Sequence, residues 1–95
     1  MATKEEYQAK MEAQLKEVTA KLADLMAKAD KASAEAKGDY QVHIKSLKAK
    51  LQETQGRLQQ VKNSSGEAWV ALKDGTEKAW GELRSTVDNV LAKFH

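Results

Sequence analysis

From Tyr7 onward the apolar residues of this chain fall three and four positions apart, and no proline interrupts them anywhere. Tyr7, Met11, Leu15, Val18, Leu22, Leu25, Ala29, Ala32 and Ala36 form one such run. Tyr40, Ile44, Leu47, Leu51, Thr54, Leu58 and Val61 form the next. Steps of that size stack side chains on one face of an α-helix, whereas a strand would need strict alternation. The pattern therefore predicts an all-α fold, and 95 residues allow one domain.

Local signals agree with the first helix. Thr3 and Glu6 have capping-box spacing, with the hydroxyl placed to accept from the Glu6 amide. Glu6–Lys10, Glu12–Lys16, Glu17–Lys21 and Asp24–Lys28 set an acid four residues before a base, worth a few tenths of a kcal/mol each at most. Two candidate breaks follow. Gly38 stands alone among helix formers, and one interior glycine costs only about 1 kcal/mol relative to alanine. Asn63-Ser64-Ser65-Gly66 puts four weak helix formers together, with Ser64 and Glu67 repeating the capping-box spacing. The balance predicts a continuous or slightly bent helix over 4–62, about 90 Å long at ~1.5 Å per residue. A turn at 63–66 and a return helix over 67–94 complete the expected coiled-coil hairpin. The alternative is a monomeric three-helix bundle with its first turn near Gly38.

The last segment carries an eleven-residue repeat. Trp69, Trp80 and Leu91 are in register, as are Leu72, Leu83 and Phe94, and Lys73, Arg84 and His95. Eleven residues make three turns at ~3.67 per turn, so the stripe stays nearly straight. Trp69, Leu72, Trp80, Leu83, Val87, Leu91 and Phe94, with Ala79 and Val90 among them, form one packing or lipid-facing face. In the packing reading the tryptophans fill space against the alanines of the first helix. Gly75 and Gly81 weaken the last helix, so tertiary contact is expected to hold it.

Composition removes several function classes. With no cysteine there are no disulfides, thiol chemistry or Cys-ligated metals, and two histidines are too few for most metal sites. No catalytic, cofactor or metal set emerges, and no enzyme is expected: the carboxylates alternate with lysines on polar faces, the serines match caps, and the glycines fit no phosphate loop. The first residues lack the apolar core of a secretory signal and no run reaches a membrane span, so a soluble cytoplasmic protein is expected. A net charge of +2 gives no case for nucleic acid. The charge is uneven, however. Residues 37–63 hold six basic and two acidic groups, while the segments on either side are each −1. Such a middle suits either a solvated face between acidic neighbours or a contact with phosphate or an acidic partner.

Several stretches together carry a family likeness. They are Lys28-Ala29-Asp30-Lys31-Ala32, Ala34-Glu35-Ala36-Lys37 with Tyr40 after it, Leu47-Lys48-Ala49-Lys50, and above all Ser65-Gly66-Glu67-Ala68-Trp69 followed by Glu77-Lys78-Ala79-Trp80. In these, over nearly its whole length, the chain resembles small bacterial coiled-coil proteins of the stress-response type; Gly38 departs from that pattern. The eleven-residue period is more loosely similar to apolipoprotein-type amphipathic repeats. The first likeness implies a non-enzymatic helical protein connected with stress.

A return helix of about 30 residues covers only half of a ~60-residue partner at ~1.5 Å per residue. On the long-hairpin reading, the seam formed by Tyr7, Met11, Leu15, Val18, Leu22 and Leu25 stays exposed, and an exposed stripe of that size marks an interface. The expected partners are therefore further copies of the chain, in a homo-oligomer, or another coiled-coil protein. A membrane surface contacted by the tryptophan stripe is the alternative.

Overall fold

The computed structural model describes residues 3–94, and these form three helices joined by two short turns. Helix α1 runs Lys4–Lys31, α2 runs Ala34–Asn63 and α3 runs Ala68–Lys93. The chain goes up, down and up again. Lys4 Nζ donates to the Ser64 carbonyl at 2.6 Å and to that of Lys62 at 3.3 Å, tying the start of α1 to the end of α2. An ammonium there also meets the negative end of the α2 dipole. At the opposite end Phe94 stacks on Tyr40, 4.0 Å between ring centroids, so α3 finishes beside the start of α2. The rod measures 51 × 19 × 17 Å.

The continuous helix over 4–62 does not form. The chain turns at Ala32 and Ser33, both extended (φ −78°, ψ 161° and φ −64°, ψ 162°), ahead of Gly38 rather than at it. Ser33 opens α2 by accepting from the Ala36 amide at 3.3 Å, and the Ala32 amide closes α1 on the Ala29 carbonyl at 3.2 Å. Breaking a helix there gives up a few backbone bonds. In exchange, the stripe of α1 packs against α2 instead of facing water, and burial at ~25 cal/mol per Å² over its large side chains outweighs the loss. Gly38 lies inside α2, where an added Cβ would meet nothing within 4 Å. Gly38→Ala is therefore expected to raise unfolding free energy by about 0.5–1 kcal/mol, measured by urea denaturation. A fall would mean that the glycine serves as a hinge.

The capping signals divide the same way. Thr3 caps α1 as its spacing suggests, accepting from the Glu6 amide at 3.1 Å. Ser64 does not cap α3. It closes α2 instead, its hydroxyl donating to the Val61 carbonyl at 2.6 Å, while Glu67 begins α3 with no side-chain cap bond. Gly66 makes the connection, at φ 61°, where a side chain would be strained. Of the four acid–base pairs, Glu17–Lys21 closes to 3.5 Å among the described residues, and Glu12 reaches across to Lys62 on α2 rather than along its own helix.

The core is a single column. From α1 it takes Tyr7, Met11, Leu15, Val18, Leu22, Leu25 and Ala29; from α2, Ile44, Leu47, Leu51, Leu58 and Val61; from α3, Leu83, Val87 and Val90. Two threonines complete it. Thr54 and Thr76 are fully buried, each hydroxyl bonded to the carbonyl four residues earlier (Lys50 and Leu72, at 2.8 and 3.0 Å). That local bond satisfies the oxygen and leaves the methyl free to pack. Thr54 already stands in the α2 run read off the sequence, whereas Thr76 is absent from the α3 face read there.

Candidate interaction surface

The six seam residues of α1 are buried within the chain, none exposing more than 7% of its surface. The expectation of an open seam fails together with the continuous helix on which it rests. Once α1 folds back on α2, a single chain has three stripes to close against one another.

The tryptophan face is divided. Leu83 and Val87 enter the core, whereas Trp69, Leu72, Trp80, Leu91 and Phe94 are partly buried and pack against its edge. Trp69 meets Tyr7 of α1, 5.5 Å between centroids and tilted by 39°. Trp80 lines a crevice of about 20 Å³ between α3 and Gln14, Glu17, Val18 and Lys21 of α1. Gln14 Oε1 is buried with no hydrogen-bond partner. In place of the alanines expected opposite the indoles, Trp69 has Tyr7, and Trp80 shares its crevice with Gln14, Glu17, Val18 and Lys21.

Aromatic clusters finish both ends of the α3 face. At one end the Tyr7 hydroxyl points to the Lys73 carbonyl at 3.5 Å, and Lys73 Nζ lies 5.6 Å from the Tyr7 ring centroid. Burial pushes the Tyr7 phenol up from 10.0 to about 12, with the Glu77 and then the Asp74 carboxylate adding to the rise. The unfolded chain thus releases this proton at lower pH than the folded one. The contribution of Tyr7 is complete below pH 10 and is lost as pH climbs through about 12. Tyrosinate absorbance should show Tyr7 titrating near 12, identified by its loss in Tyr7→Phe; a Tyr7 transition near 10 would contradict this packing. At the other end His43 meets Phe94 edge-on, 5.4 Å between centroids, and Lys93 Nζ lies 3.3 Å from His43 Nε2. His95, third in the Lys73–Arg84 register, lies outside the described residues.

Among the described residues no three His, Cys, Asp or Glu side chains are placed to hold a metal ion, and no helix is long and apolar enough to cross a membrane. Comparison with protein-family models, curated proteins and solved structures found no match.

What remains is shape. On the side away from α3, α1 and α2 form a groove of about 320 Å³ over Leu15 and Leu58, walled by Glu12, Lys16, Thr19, Gln55, Gln59 and Lys62. Further along α2 lies a shallow depression of about 420 Å³ over Ile44 and Ala49, edged by Gln41, Lys45, Lys48 and Gln52. The lining residues of α2 continue one another by steps of three, four and seven, so the two hollows follow one side of that helix. Sequence periodicity concentrates on the buried stripe and does not reveal this side. The signal that bears on it is the basic excess of residues 37–63.

Proposed function

We propose that the chain is a non-enzymatic interaction protein that works by helix–helix association, with no chemistry of its own. The observation that carries this reading is the α1–α2 side of the rod, with one hollow between the two helices and a second on α2 alone, and no third layer over them among the described residues. Two antiparallel helices present ridges and grooves that a further helix fits. Self-association through the seam of α1 would require the bundle to open, so association on the outside of the closed bundle, with another helical protein, is the better reading. The likeness to stress-response proteins extends it to a cytoplasmic, stress-related role. Cross-linking in the native cell followed by mass spectrometry tests it. Peptides of a helical protein joined to the α1–α2 side are the expected result. Cross-links confined to the interior of single chains would overturn it.

A second reading rests on α3. Trp69 and Trp80 are only partly buried, the helix starts without a side-chain cap, and Gly75 and Gly81 lie inside it. Such a helix could leave the bundle and lie on a lipid surface, where indoles suit the headgroup boundary. Asp74, Glu77, Glu82 and Asp88 on the same helix oppose attraction to anionic lipid. A blue shift of tryptophan emission with co-flotation on vesicles would favour this reading, and an unshifted spectrum without co-flotation eliminates it.

A further inference from the structure

The heptad positions of α2 divide its charges with little overlap. Counting from the core residues Ile44, Leu47, Leu51, Thr54, Leu58 and Val61, one adjacent row at seven-residue spacing is Gln41, Lys48, Gln55 and Lys62. The row beside it is Lys45, Gln52 and Gln59. Neither row holds an acid over about six turns of helix. The acids of α2, namely Glu35, Asp39 and Glu53, stand on other rows, and Glu53 faces Arg57 there. Of the two acid-free rows, only the first flanks the core seam, where paired helices choose partners by charge; the second stands next to it, one step farther from the core.

These two rows edge both hollows on the α1–α2 side. The positive charges on them are not equivalent. Lys62 is already paired with Glu12 of α1, whereas Lys45 and Lys48 are exposed and form no ion pair among the described residues. Lys45 and Lys48 border the hollow whose floor is Ile44 and Ala49. On the α1 side a row at the same spacing runs through Glu12, Thr19 and Met26, and Met26 is one of the few large apolar side chains that remain exposed.

We infer that the α1–α2 side takes a fourth helix, an amphipathic one with an acidic flank, whose apolar residues seat over Ile44 and Ala49 while its carboxylates reach Lys45 and Lys48. The inference rests on the helix-association reading and specifies the partner's chemistry. The glutamines along the rows offer amide donors and acceptors to a polar helix flank. A bilayer would need large exposed apolar side chains at this site, and lysine and glutamine do not supply them. A second copy docking by twofold symmetry through this side would bring a basic side to a basic side, whereas an acidic flank answers it, so the occupant is a partner helix rather than a second copy.

The test uses the full chain, isotope-labelled, titrated with a synthetic amphipathic helix of leucine core and glutamate flanks. Saturable binding is expected, with amide shifts confined to residues 41–62 of α2 and the facing part of α1, and weakening with added salt. Lys45→Glu with Lys48→Glu should weaken it about tenfold or more, since opposed charges replace paired ones. Lys10→Glu with Lys28→Glu, the same charge change on exposed residues of α1 away from the hollows, should leave it unchanged. Circular dichroism of both variants should match that of the parent chain. Failure to bind at millimolar peptide, equal binding of a lysine-flanked peptide, or indifference to the Lys45/Lys48 change overturns the inference. So does capture by phosphatidylserine vesicles through these lysines without peptide binding. Peptide binding with shifts on α3 overturns this site but leaves helix association standing, and the two failures are thereby told apart.

Discussion

Leu83→Ala should lower the unfolding free energy by about 2–5 kcal/mol, the range for removing a buried leucine side chain without collapse of the cavity. Leu83 is fully buried in the middle of α3 and belongs to the core shared by all three helices. Against a total of about 5–15 kcal/mol for a native domain, the loss is a large fraction. Urea denaturation followed by helical circular dichroism measures it: the midpoint should fall while the slope stays unchanged. A loss below about 1 kcal/mol would mean that α3 does not close the core as described.

Leu25→Asp should have a larger effect still, on the order of 4 kcal/mol or more, because it sets an unpaired carboxylate among apolar side chains. Leu25 exposes only 2% of its surface, and it lies in the seam whose spacing alone would also suit an interface between chains. The two arrangements predict different outcomes. A seam closed within the chain makes the variant unfold at much lower urea than the parent, equally at all protein concentrations. A seam between chains would make it a folded monomer that no longer associates. Urea denaturation and sedimentation on the same sample separate the two, and a Leu25→Asp monomer as resistant to urea as the parent chain would contradict the bundle.

The helical class and the buried stripes are legible in the sequence because burial imposes the three-and-four period along every helix. Tyr7 through Leu25 on α1 and Ile44 through Val61 on α2 are core residues for the reason their spacing implies. The second turn is legible in Asn63-Ser64-Ser65-Gly66, where composition alone disfavours helix. The first is hidden. Lys31-Ala32-Ser33-Ala34 contains no strong breaker, and the apolar phase runs through it, so nothing local opposes a continuous helix. The signal that does exist is size. Between Leu25 and Tyr40 the stripe holds only Ala29, Ala32 and Ala36, a thin stretch where a helix end needs little to bury. The single glycine draws the expected break towards itself, yet at Gly38 the helix tolerates it and at Ser33 a side-chain cap starts a new one.

The candidate surface is less legible than the core. Periodicity identifies what a helix hides, and the α1–α2 side is made of what remains: glutamine and lysine rows whose meaning depends on which helix lies beside them. The basic excess of residues 37–63 is visible in the sequence, but its division into a paired Lys62 and unpaired Lys45 and Lys48 requires the position of Glu12. The tryptophans show the same dependence. Their eleven-residue register predicts one face, and the packing of Trp69 on Tyr7 separates that face into a core strip and a half-buried edge.

All of this depends on α1 folding back onto α2 of its own chain. The absence of cysteine makes a direct measurement simple, because Glu12→Cys with Lys62→Cys places spin labels at two chosen sites alone. Glu12 and Lys62 are in ion-pair contact across the bundle. On a continuous helix they would stand about 75 Å apart at ~1.5 Å per residue. Pulsed electron resonance on labelled chains diluted into unlabelled protein should give a single narrow distance below about 30 Å, the reach of two labels on helices packed ~10 Å apart. A distance near ~75 Å, or a short one that disappears on dilution, would contradict the three-helix chain.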